Sequence, residues 1–189
     1  MGINLVYASD TVKLKKCVDG DTFKVTLNNE EVTVRMLAID TPESVKPDTE
    51  IEYYGKEASD YTCNKLKNAK KIVLEYDKNS DKFDKYDRLL AWVFVDNKLL
   101  QTELIENGYA KIAYLYNDYK YIDILKEKQE LAVANNLGIW NGSAKNNYEN
   151  TLTTNIDNVI DEYENKEVAL IVIVIMTFII LIKKLFKKN

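Results

Sequence analysis

Histidine is absent from this 189-residue chain. Its absence removes imidazole as a general base, a Ser–His nucleophile pair and histidine-ligated zinc sites, so acid and base chemistry falls to carboxylates. Proline occurs only at Pro42 and Pro47, which together mark residues 40–53 as a loop. Cysteine is equally scarce: Cys17 and Cys63 lack a CxxC spacing and stand far apart. They make no disulfide framework and read as two small, buried or half-exposed hydrophobes. A basic field is also missing, because the net charge is −4, so any phosphate binding must be local. Arginine is represented by Arg35 and Arg88 alone, against 24 lysines. In so lysine-biased a chain, each arginine is a candidate for a place where a planar, bidentate fork is needed rather than a point charge.

What is present is a packed-core composition, 46% hydrophobic and 30% charged, enough for one sizeable domain plus an appendage. The densest chemistry lies between Asp19 and Glu43. It opens with Asp19-Gly20-Asp21-Thr22, passes Arg35 and closes with Asp40-Thr41-Pro42-Glu43. Alternating apolar residues around these positions (Phe23, Val25, Leu27; Val32, Val34, Met36, Ala38) predict two strands at about 22–28 and 31–39, turning at Asn28-Asn29. The hairpin folds Asp21 back toward Asp40, gathering hard oxygen ligands beside a guanidinium, an arrangement suited to a divalent cation and a phosphate.

A first strand is expected over 11–18, a helix over 54–69, a strand over 70–77 and a charged loop over 78–87. The apolar run Leu89 to Val95 reads as a central strand closed by an Asp96-Asn97 turn. Helices are expected over 100–107, ended by Gly108, and over 118–136, before Gly138-Ile139-Trp140 closes the domain. This is an α+β unit of five strands, compatible with a small closed barrel.

Asp19-Gly20-Asp21-Thr22, Arg35, Asp40-Thr41-Pro42-Glu43, Tyr54-Gly55-Lys56-Glu57-Ala58 and Asp84-Lys85-Tyr86-Asp87-Arg88 occur in that order. With Ala110-Lys111-Ile112-Ala113-Tyr114-Leu115-Tyr116 and Gly138-Ile139-Trp140, they resemble the staphylococcal nuclease (thermonuclease) family. The resemblance runs from about residue 11 to Trp140. It implies a five-stranded OB-fold β-barrel with three helices, and Ca²⁺-dependent hydrolysis of DNA and RNA phosphodiesters. It implies Ca²⁺ ligation by the carboxylates of Asp21 and Asp40 and the carbonyl of Thr41, with Asp19 close by. Glu43 is implied to activate water, Arg35 and Arg88 to hold the phosphate, and Lys85, Tyr86, Tyr114 and Tyr116 to contact the nucleotide. On the residues alone, Tyr114 and Tyr116 fall on one side of a strand, either to stack on a base or as ordinary barrel aromatics. Two positions depart from the family pattern. The loop 44–50 has fewer lysines, which suggests weaker phosphate binding. Asp87 replaces a glycine beside Arg88, where its charge could compete with substrate phosphate.

Residues 143–166 are polar and predict a linker, after an extension at 1–10 and a nuclease-like domain at 11–142. Val168 to Ile182 is uncharged and Lys183, Lys184, Lys187 and Lys188 follow. Fifteen helical residues reach only about 22 Å against a hydrocarbon core of ~30 Å. Snorkelling of Lys183 and Lys184 brings Leu185 and Phe186 into use, so 167–186 reads as a transmembrane helix with a basic tail at 187–189. The lysines favour a cytoplasmic C-terminus and an outward domain, whereas the lack of a signal-peptide pattern at the N-terminus leaves open a tail-anchored topology with the domain in the cytoplasm. The expected protein is thus a membrane-anchored, monomeric nuclease acting on nucleic acid, with no protein partner inferred. The alternative is a tethered OB-fold module that binds nucleic acid without turnover.

Overall fold

The computed structural model describes residues 8–44, 51–146, 148, 149, 151, 153, 154 and 173–179. It divides into two compact units, Met1–Gly142 and Ser143–Asn189. In the first, five long strands form the frame: β1 (Ser9–Cys17), β2 (Thr22–Leu27), β3 (Glu30–Met36), β5 (Ile72–Glu75) and β6 (Leu89–Val95). Their order is β3-β2-β1-β5-β6, and a parallel pairing of β3 with β6 closes the sheet into a barrel. Short strands β4 (Ile39–Asp40) and β8 (Lys111–Ile112) pair outside it, while β7 (Lys98–Leu99) adds an edge to β6. Helices α1 (Gly55–Lys67), α2 (Leu100–Glu106) and α3 (Ile122–Ala134) complete the expected three-helix α+β barrel, and a 3-10 turn at Gly138–Trp140 ends it.

Both predicted tight turns are present. Asn28 and Asn29 have φ of 51° and 68°, and Asp96 and Asn97 have 49° and 68°. Paired positive φ values are what a two-residue hairpin turn requires, and Asn and Asp tolerate them better than other non-glycine residues. Alternation along β2 and β3 puts Phe23, Val25, Val34 and Met36 in the core beside Leu74, Leu89, Ala91 and Val93. The predicted strand over 31–39 is broken because Ala38 takes a left-handed φ of 62°. That bend ends β3 and sends Ile39–Asp40 away to pair with β8, an outcome that apolar alternation does not encode.

The cysteines correct the sequence expectation. Cys17 at the end of β1 and Cys63 in α1 form a disulfide, with Cα atoms 5.6 Å apart. Spacing alone could not show it, since docking of α1 beside β1 is what brings the thiols together. Closing a loop with a sequence separation of 46 stabilises the fold by about 4 kcal/mol on the chain-entropy estimate.

Residues 142–146, 148, 149, 151, 153 and 154 are helical where composition suggests an irregular linker. Proline is absent there, and the i,i+4 pair Lys145–Glu149 at 3.9 Å favours a helix. Among the described residues, no helix is long and apolar enough to cross a membrane. Of the 167–186 span, 173–179 are described and helical, and the remainder lies outside the described residues.

Candidate active site

The acidic loop is built by a tight connection. Cys17 pairs with Phe23 across β1 and β2, and the N–H groups of Val18 and Asp19 both donate to the Thr22 carbonyl, at 3.2 and 2.8 Å. Residues 18–22 are thus a compact loop from which Asp21 reaches Arg35 of β3. Gly20 is required there, because a Cβ would sit 2.7 Å from Thr41 Oγ1.

Asp21 is 5% exposed and fully engaged. Its Oδ1 accepts from Thr22 Oγ1 at 2.9 Å, and its Oδ2 accepts from Thr41 N at 3.0 Å and Thr41 Oγ1 at 3.2 Å. Arg35, 7% exposed and opposite Thr22 in the β2–β3 register, reaches the same Oδ2 through Nη2 at 3.0 Å. Nη2 also meets Asp40 Oδ1 at 3.3 Å, and Nη1 donates to the Met36 carbonyl at 3.0 Å. The fork explains why arginine stands here: three acceptors at fixed angles are satisfied by one planar group.

Asp40 is ringed by cations and donors. Lys111, its cross-strand partner on β8, approaches Oδ2 at 3.5 Å, and the Tyr114 hydroxyl donates to Oδ1 at 3.3 Å. The Tyr114 ring lies 5.5 Å from the Arg35 guanidinium carbon. Burial, and then the charge of Asp40, raise the Tyr114 phenol pKa. Tyr114 and Tyr116 do not lie on a strand as expected, since β8 ends at Ile112 and Tyr114 turns left-handed at φ 56°. Tyr114 faces the acidic site, while Tyr116 is 77% exposed.

Asp19 is half-buried and accepts from Gly20 N at 2.7 Å and Ser44 Oγ at 2.6 Å. Its pKa is pushed up to about 6, first by burial and further by a hydrogen bond with the Glu43 carboxyl and the charge of Asp21, against the lowering by Ser44 and Gly20. The Glu43 backbone is fixed from the segment just before α1. Its N–H donates to Glu52 Oε2 at 3.1 Å, and its carbonyl accepts from Glu52 N at 2.9 Å. A Cβ at Gly55 would lie 2.5 Å from that same carbonyl, which accounts for the glycine after Tyr54.

The hard-oxygen set Asp19, Asp21, Asp40 and the Thr41 carbonyl is of the chemical type that Ca²⁺ takes. Asp21 and Asp40 meet on one nitrogen of Arg35, and the raised pKa of Asp19 reflects burial first, with the neighbouring Glu43 carboxyl and the charge of Asp21 adding to it. Among the described residues, no three carboxylates form a ready-made metal cluster. The residues fit a hard cation by donor chemistry, with two carboxylates as the core of the set.

Arg88 is placed by a different element. It precedes β6, whose Leu90 lies beside Arg35 in the parallel register. Its guanidinium is held by Asp84, with Nε at 2.7 Å and Nη2 at 2.6 Å from Oδ2. Asp84 Oδ1 also accepts the N–H groups of Tyr86 and Arg88, both at 2.9 Å. The acid that engages Arg88 is therefore Asp84 and not the suspected Asp87, which serves the turn with φ 61°. Tyr86 is 67% exposed, with Lys85 Nζ 4.9 Å and the Arg88 guanidinium carbon 5.3 Å from its ring centre.

Sequence reasoning assembled Asp21, Arg35, Asp40, Thr41 and Glu43 at one place. It assigned no role to Ser44, Glu52, Lys111 and Asp84, which contact Asp19, Glu43, Asp40 and Arg88 respectively. Only Asp84 carried a local signal, an aspartate four residues before an arginine in a turn.

The profile of a family described as staphylococcal nuclease homologue matches residues 33–142. The chain is 46% identical over 138 residues to SPbeta prophage-derived endonuclease YokF of Bacillus subtilis (strain 168), covering 72% of this chain and 45% of that protein. It is 44% identical over 133 residues to Endonuclease YncB of the same organism, covering 70% of this chain and 62% of that one. Over 130 residues it is 38% identical to Thermonuclease of Staphylococcus hyicus, covering 69% of this chain and 75% of the relative. The chain thus spans less than two thirds of the two Bacillus proteins. With the barrel closed and Asp21 and Asp40 both on Arg35, the matching domain identifies this chain as a member of the staphylococcal nuclease homologue family.

Proposed function

We propose that the chain is a membrane-anchored, Ca²⁺-dependent nuclease that hydrolyses phosphodiester bonds of DNA or RNA. The carrying observation is Arg35, a buried guanidinium held in fixed orientation by Asp21, Asp40 and the Met36 carbonyl. Relatives named endonuclease and thermonuclease support the same reaction.

Phosphodiester hydrolysis needs an activated water in line with the leaving oxygen and positive charge on the non-bridging oxygens. Arg35 supplies one such charge at no reorganisation cost, because its fork is already oriented. Arg88 supplies a second once its guanidinium exchanges the Asp84 carboxylate for a phosphate. Glu43 takes the proton of the attacking water; in a chain without histidine, it is the carboxylate whose backbone is anchored at the rim of the site. A bound Ca²⁺ supplies charge neutralisation at the phosphate, and Asp21, Asp40 and Thr41 are the residues that would hold it. The exposed Tyr86 and Tyr116, with Lys85, are suited to bases and phosphates of a single or frayed strand.

The apolar run at 168–182 supports anchoring to a membrane. The Cys17–Cys63 disulfide supports a domain on the oxidising side.

The test is cleavage of single-stranded DNA by the detergent-solubilised chain, with Ca²⁺ or with a chelator. Cleavage should require Ca²⁺, and Glu43→Gln should lower it about 10²- to 10⁴-fold while binding persists. Cleavage that survives chelation rejects the mechanism. Tight binding without turnover in the unmodified chain would favour the binding-module alternative.

A further inference from the structure

The disulfide and the acidic loop are parts of one structural unit. Cys17 is the last residue of β1, paired with Phe23, so the bond is attached at the base of the loop that carries Asp19 and Asp21. Its other half, Cys63, adjoins Thr62 on α1. Thr62 is fully buried, and its Oγ1 donates to the Gly20 carbonyl at the tip of the same loop, at 2.6 Å. Helix α1 therefore grips the loop at base and tip through two consecutive residues. Gly20 in turn packs against Thr41, whose N–H and hydroxyl orient Asp21. Both cysteines are partly exposed.

We propose that the Cys17–Cys63 bond is a redox switch on the acidic site, closing α1 onto the Asp19-Gly20-Asp21 loop when oxidised and loosening that loop when reduced. The proposal rests on the nuclease reading only for its effect on turnover. The reductant is a dithiol. One of its thiolates attacks a sulfur of the bond, giving a mixed disulfide and releasing one cysteine thiolate. Its second thiol then closes an intramolecular disulfide and releases the other cysteine, so two electrons and two protons pass to Cys17 and Cys63. In the reduced chain, Thr62 is no longer clamped beside the loop base. The Thr62–Gly20 hydrogen bond then competes with water, and Asp21 loses its fixed aim. On this proposal the disulfide is coupled to the acidic site, and the barrel core at Val34, Leu74, Leu89 and Val93 holds the reduced chain together.

The test compares the full chain before and after dithiothreitol, at a temperature where circular dichroism shows the reduced chain folded. Amide hydrogen exchange should quicken at residues 20–22 and 41 while β5 and β6 stay protected. Cleavage should fall at least about fivefold and recover on reoxidation. Cys63→Ser should match the reduced chain and ignore the reductant, and Thr62→Val should loosen the loop with the bond intact. Unchanged exchange on reduction overturns the proposal. So does a Cys63→Ser chain that still responds to dithiothreitol, or a reduced chain that unfolds globally at every temperature, since the bond is then a staple. If the oxidised chain cleaves nothing, the nuclease reading fails while the exchange data still decide the coupling.

Discussion

Arg35 projects from the sheet of the barrel, 7% exposed, with acceptors drawn from Asp21, Asp40 and the Met36 carbonyl. Arg88 stands in the loop before β6 and is held by Asp84, four residues earlier in the chain. The first guanidinium is oriented by residues that meet only when β2, β3 and β4 are assembled. The second is oriented by its own turn, in which Asp84 collects the side chain and two N–H groups. One guanidinium is buried among acceptors from separate segments, and the other is partly exposed on a single local acid. On the proposed mechanism, the contrast separates a preorganised charge from one recruited by substrate.

The largest effect should come from Arg35→Ala. It leaves the buried Asp21 carboxylate without its counter-charge, which costs about 3–5 kcal/mol and abolishes measurable cleavage. Urea unfolding checks the first and single-turnover kinetics the second. A loss of stability below about 1 kcal/mol would remove the contrast with Arg88. Next in size, Arg88→Lys should lower kcat by about 10²- to 10³-fold, because a point charge does not reproduce the fork. Its stability should stay within about 1 kcal/mol of the parent, as a partly exposed pair allows. Equal losses of stability in the two variants would show that Arg88 is structural.

The smallest effect concerns acid. Burial alone raises the Asp84 carboxyl, but hydrogen bonds from the Arg88 guanidinium and from the N–H groups of Arg88 and Tyr86 outweigh it, holding the group below its ordinary value. A carboxylate with a depressed folded pKa contributes stability that is present above its unfolded value of about 3.9 and is lost as pH falls through the folded value. The Asp84→Asn variant should therefore lie up to about 1 kcal/mol below the parent near neutrality, and the two should converge in strong acid. Unfolding curves at several pH values measure this, and a gap that persists in acid would place the role of Asp84 in turn geometry rather than in charge.

Much of the fold was legible because it follows local rules. Asn28-Asn29 and Asp96-Asn97 mark hairpins through their tolerance of positive φ, apolar alternation located β2 and β3, and a continuous apolar run located β6. Short strands were not legible: β4, β7 and β8 are two residues each, too short for any period to show. Tyr114 was misplaced for the same reason, since two alternating tyrosines resemble a strand and nothing local announces the left-handed turn between β8 and Tyr116.

By itself, the sequence determined which chemistry was open to this chain. Without histidine, with two arginines and with Asp19, Asp21, Asp40 and Glu43 in its two acidic motifs, it left carboxylates as acids, bases and cation ligands, and guanidinium as the phosphate fork. These are properties of composition and near neighbours, and they survive without coordinates. Tertiary structure alone decided the partnerships: Asp21 and Asp40 sharing Arg35, Lys111 and Tyr114 closing on Asp40, and Cys17 bonded to Cys63 with Thr62 beside it on the acidic loop. Each joins segments separated by several to many residues. Such contacts depend on barrel closure and on where α1 docks, which are properties of the packed whole and not of any stretch of chain.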